Sequence, residues 1–67
     1  MQVRLADYPQ LRKICWNRRA DALLDGAEAL ALYERNWRHV EPEALDGAER
    51  RLIQQLADLY GGGVLNV

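Results

Sequence analysis

Apolar positions are spaced for helices over most of this chain, and the spacing is clearest in residues 46–61, DGAERRLIQQLADLYG. At about 100° per residue, Ala48, Leu52, Ile53, Leu56, Ala57, Leu59 and Tyr60 fall on one half of the wheel. Arg50, Arg51, Gln54, Gln55 and Asp58 fill the other half. Asp46 stands where an N-cap carboxylate accepts from the third amide of the helix, and Glu49 is placed to reach back and complete a capping box. Gly61 supplies the left-handed residue that commonly ends a helix. The pattern predicts a core helix over residues 47–60.

A second helix is predicted over residues 26–39. Asp25 and Glu28 repeat the start seen at Asp46, and Ala29, Leu30, Tyr33, Trp37 and Val40 share an arc roughly 100° wide. Glu28, Glu34, Arg35, Arg38 and His39 face away. Glu34 and Arg38 stand at ion-pair spacing, and Tyr33 and Trp37 form an aromatic pair. Pro42 ends the helix, because the residue before a proline avoids the helical region. The DGAE echo stops within one turn, so it reads as two similar caps rather than a duplication.

Before these, a shorter helix is predicted over residues 8–18. Asp7 caps it, Pro9 sits harmlessly in its first turn, and Tyr8, Leu11, Ile14 and Cys15 share one side. Residues 17–24 read as a connection with Leu23 and Leu24 turned inward. Met1, Val3 and Leu5 alternate with Gln2 and Arg4 as in a half-buried strand, and Val64-Leu65-Asn66-Val67 is strand-like after a triple glycine. The two termini are thus free to pair as a small sheet edge. The expected fold is mainly α, a single small domain over residues 1–67 with three short helices and short N- and C-terminal strands.

Composition adds limits. With 28% charged and 49% hydrophobic residues the chain is globular rather than disordered. No run approaches the roughly 18 apolar residues of a membrane span, and the start lacks an apolar leader, so the expected compartment is the cytoplasm, with no membrane partner. Cys15 is the only cysteine and His39 the only histidine, which excludes an intramolecular disulfide and argues against a structural zinc site. So short a chain reaches a sufficient core only narrowly, which makes a protein partner or self-association the expectation.

Charge is unevenly distributed. Residues 1–19 carry five basic side chains (Arg4, Arg12, Lys13, Arg18 and Arg19) against Asp7 alone, whereas residues 20–67 carry nine acidic side chains against four arginines. The basic segment holds the candidate binding surface: Arg12, Lys13, Trp16, Arg18 and Arg19. On the wheel Trp16 falls opposite Leu11, Ile14 and Cys15, among the cations. An indole so placed can stack on an unpaired base while its neighbours hold phosphate. Alternatively the second helix or the C-terminal strand covers it, as is usual for a large aromatic. A net charge of −1 and a pI near 5.7 argue against a general nucleic-acid binder. Leu32, on the charged side of its helix, and Val64 and Leu65 near the C-terminus form a candidate interface.

Catalytic chemistry finds little support. The chain has no serine or threonine, so Cys15 and His39 are the only nucleophile–base pair, and a cysteine on an apolar helix face reads as a small core residue. Asp25, Glu28, Asp46 and Glu49 have capping roles, and Asp21 with Asp25 is a thin basis for a cation site. The triple glycine follows a helix, where carbonyls point outward, and so cannot cradle a phosphate as a loop before a helix does. No catalytic residue, metal site or cofactor is expected.

Leu32-Tyr33-Glu34-Arg35-Asn36-Trp37-Arg38, with Tyr8-Pro9 and Trp16-Asn17-Arg18 before it and Gly63-Val64-Leu65-Asn66-Val67 after it, resembles short bacterial proteins that have no assigned activity. That resemblance covers most of the chain and implies no site residues. A second likeness, to the Hha-type nucleoid modulators, rests on Glu34-Arg35-Asn36, Glu43-Ala44-Leu45, Arg51-Leu52 and Leu59-Tyr60. It needs a gap of several residues, and the triple glycine departs from that pattern. The resulting expectation is a non-catalytic interaction or regulatory module acting through a protein partner or as a homodimer. The alternative is a small nucleic-acid-binding regulator, antitoxin-like, using the basic N-terminal helix.

Overall fold

In a computed structural model that describes residues 1–67, the most strongly amphipathic stretch forms the longest helix, α3 (Gly47–Tyr60). Leu52, Ile53, Leu56 and Ala57 are buried from it, while Leu59 and Tyr60 are exposed, so the apolar stripe stops contributing to the core one turn before the helix ends. Its partner is α2 (Gly26–Arg35), which contacts α3, the short α1 (Pro9–Ile14) and both strands of a two-stranded sheet. Tyr33, Leu30 and Ala29 of α2 join Val3, Leu5, Leu11, Cys15, Leu24, Val40 and the α3 residues Leu52, Ile53 and Leu56 in one cluster of 12 buried side chains. The architecture is mainly helical, as the periodicity implied.

The sheet departs from expectation. β1 (Gln2–Arg4) pairs antiparallel with β2 (Leu23–Asp25), setting Val3 opposite Leu24, and not with the C-terminus. Val3 and Leu24 point inward, while Leu23 is exposed rather than tucked in. A strand of three residues is too short to show a period, and β2 runs directly into the N-cap of α2 at Asp25, whose carboxylate accepts from the Ala27 amide at 3.1 Å. Residues 64–67 form no strand. Instead the amides of Gly61 and Gly63 both donate to the Ala57 carbonyl at 2.8 Å, which satisfies the end of α3. The residues with positive φ are Gly62, at 66°, and Gly63, at 88°, and not Gly61, at −117°. Leu65 then folds onto the core, and the Asn66 amide donates to Glu34 at 2.8 Å. Those contacts take up the backbone that a terminal strand would have used.

Two helices are shorter than their periodicity suggests. α1 stops at Ile14, and Cys15 leaves the helical region with φ −108° and ψ 42° as the chain turns back toward β2. α2 stops at Arg35, where the Asn36 side-chain amide donates to the Leu32 carbonyl at 2.9 Å and a 3-10 turn, Trp37–His39, follows. That turn destroys the i,i+4 register, so the Glu34–Arg38 ion pair does not form. Arg38 Nε donates to His39 Nε2 at 3.3 Å, and Glu34 serves Asn66.

Candidate functional site

The start of α1 is held by a side chain from the first turn of α3, distant in sequence. Proline at its first position has no N–H, but Gln10 and Leu11 present amides that no intrahelical carbonyl can meet. Tyr8, the N-cap, supplies no side-chain acceptor. Glu49 supplies both: Oε1 accepts from Gln10 N at 3.0 Å and Oε2 from Leu11 N at 2.9 Å. Oε2 also accepts from the Tyr33 hydroxyl at 2.6 Å. The Glu49 residue is only 1% exposed, so this carboxylate is removed from water with three donors in its place. Half of the expected capping box exists, since the Glu49 amide donates to Asp46 at 2.8 Å. Its other half is spent on α1. Burial, followed by the bond to Glu49, pushes the Tyr33 hydroxyl far above the usual tyrosine pKa.

Further contacts fix the outer side of α1. Gln10 Oε1 accepts from the Glu41 amide at 3.1 Å, and Lys13 Nζ donates to the Glu41 carboxylate at 2.7 Å. That lysine holds the Glu41 carboxyl below the usual carboxylate range. Helix α1 is thereby tied to α3 at its start and to the segment after α2 along its side.

Just past the C-terminal end of α1, Trp16 stands 84% exposed. It forms one wall of an open groove of about 290 Å³ whose other lining residues are Lys13, Ile14, Asn36 and His39. Two come from α1, and Asn36 and His39 come from the C-cap of α2 and the 3-10 turn after it. The groove combines an indole face and an aliphatic floor with a side-chain amide, an imidazole and an ammonium group. Asn36 gives one N–H to the Leu32 carbonyl, which leaves its second N–H and its side-chain carbonyl without a protein partner.

Of the sequence-predicted surface, the structure brings Lys13 and Trp16 together at the groove and directs the others elsewhere. Arg18 reaches Glu28 at 3.4 Å, and Arg19 reaches Asp21 at 3.1 Å. Arg12 is exposed and makes no ion pair. The uneven charge of the sequence is thus largely internal, with basic residues of the first segment meeting acidic residues of the second. Leu32 and Leu65 are half-buried against the core and Val64 is exposed, and none of the three lines the groove. Cys15 is buried, its thiol pushed up by desolvation, while His39 is exposed at the surface. Asp21 and Asp25 serve Arg19 and the α2 cap. Asn36 was not singled out from sequence and His39 was weighed only as a base for Cys15, because only the packing of α1 against α2 brings them to Trp16. No helix is long and apolar enough to cross a membrane.

No family model, curated protein or solved structure matches this chain.

Proposed function

We propose that this chain is a non-catalytic interaction module that takes a segment of a protein partner, an unlike protein or a second copy, into the groove at Trp16. The observation that carries this reading is the exposed indole at the wall of a concave, partly apolar surface. Tryptophan has a large area to bury, and interface energy concentrates on such side chains once a partner removes them from water. The lone thiol fits action in the reducing cytoplasm.

A second reading, nucleic-acid binding, draws on the exposure of Trp16 and on Arg12, which no carboxylate neutralises. It is the weaker one, because Arg18 and Arg19 are paired with Glu28 and Asp21 and lie outside the groove lining, and a net charge of −1 gives the chain no general attraction for a phosphate backbone. Selection of a random peptide library on the wild-type chain, with Trp16→Ala as counter-target, tests the preferred reading. Selected peptides should lose roughly 30-fold or more in affinity on Trp16→Ala, the effect of a hot-spot residue. Peptides that bind both proteins equally would refute it. A titration with mixed-sequence single-stranded DNA and RNA that moves the Trp16 indole resonance, and weakens as salt rises, would favour the second reading.

A further inference from the structure

We infer that the segment taken up by the groove is acidic and carries one aromatic anchor. This rests on the docking function proposed above and names the chemistry of its partner. The groove has a single broad apolar contact, the indole of Trp16 with Ile14 beside it, which suits one flat side chain rather than a continuous apolar helix face. Around it the fixed charges are unequal. Lys13 lines the groove, and the Arg38 guanidinium bonds to the lining residue His39. Glu41 is the one carboxylate bonded to these side chains, at 2.7 Å from Lys13.

Glu41 also shows what the rim accepts. Its carboxylate occupies Lys13 from an exposed position, so a partner's carboxylate can exchange with it without any group leaving the core. The Glu41 amide is bonded to Gln10 independently of its side chain. Removing the carboxylate therefore frees Lys13 while leaving the segment anchored. Charge complementarity of this kind acts mainly on encounter and selectivity, and the aromatic anchor supplies the burial.

Three capped nine-residue peptides test this: aspartate and glutamate around a central phenylalanine, the same acidic peptide with a central glycine, and a lysine peptide with the phenylalanine. Each is titrated into labelled protein while the Trp16 indole and Asn36 side-chain resonances are followed. The acidic phenylalanine peptide should saturate, and its affinity should fall as salt rises. It should weaken at least about 10-fold on Trp16→Ala, weaken on Lys13→Gln, and tighten roughly 3-fold on Glu41→Gln, as expected for a rim charge. Equal or tighter binding of the lysine peptide at the same resonances would overturn the acidic preference and leave the docking function standing. Equal binding of the glycine peptide would overturn the anchor. Silence at Trp16 with the acidic phenylalanine peptide up to millimolar concentration overturns the inference, and silence with all three counts against the docking function as well. Shifts with single-stranded DNA alone would transfer the groove to the nucleic-acid reading.

Discussion

The two ends of α1 are built on opposite terms. At its start, two backbone amides and a tyrosine hydroxyl converge on the Glu49 carboxylate, which is almost wholly withdrawn from water. Just past its end the chain turns, and a tryptophan is left in solvent beside an open groove. A helix of six residues cannot hold itself together. The buried end supplies the rigidity that lets the exposed end present a defined surface. The comparison assigns stability to one end and recognition to the other, and each assignment can be broken separately.

Glu49→Ala should have the largest effect. It strands three donors in the interior at about 1–3 kcal/mol each, against a total stability of only about 3–10 kcal/mol for a chain of this length. The variant should be largely unfolded at 25 °C by circular dichroism. Glu49→Gln keeps an acceptor but turns an NH₂ toward backbone N–H groups, and urea unfolding should show an intermediate loss of about 1–3 kcal/mol. A native-like Glu49→Ala would remove the basis of the comparison.

Tyr33 makes the same end sensitive to alkali. Its folded pKa is raised, so the unfolded chain releases this proton first, at about pH 10. Stability from this group is complete below that pH and falls above it, by about 1.4 kcal/mol per pH unit. Cys15, also raised, adds a loss of the same sign starting near its own unfolded value. Unfolding free energies measured between pH 8 and 11 should show this slope, and Tyr33→Phe should remove the tyrosine part of it. A smaller effect is expected at the end of α3. Gly62→Ala places a β-carbon on a residue with φ of 66° and should cost about 1 kcal/mol in urea unfolding, with no change in peptide binding.

The sequence makes α3 legible because its stripe is long and unbroken, and α2 because cap and stripe agree. β2 is hidden, since three residues carry no period. Glu49 was legible in part. It stands three, four and seven residues before Leu52, Ile53 and Leu56, which is the core stripe, and α1 lacks a side-chain acceptor at Tyr8. The missing cap was hidden, because the sequence offered Asp7 for that role, whereas Asp7 lies in the 3-10 turn before α1 and Tyr8 takes the N-cap position. Local capping-box spacing offered Glu49 a nearer use, and only tertiary packing chose between them. The groove was half legible: Lys13 and Trp16 lie in the basic segment, but Asn36 and His39 arrive from an α2 end that the wheel carried four residues too far. Charge counted along the chain suggested a basic surface, yet folding paired Lys13, Arg18 and Arg19 with carboxylates.

The most direct test of the division between the two ends is urea unfolding of Trp16→Ala, followed by far-ultraviolet circular dichroism. A tryptophan held out for a partner contributes nothing to the free fold, so the unfolding free energy should match the wild type within about 0.5 kcal/mol. A loss of about 2 kcal/mol or more would mean that the indole packs against the protein in solution. Trp16 would then belong to the structure and not to recognition.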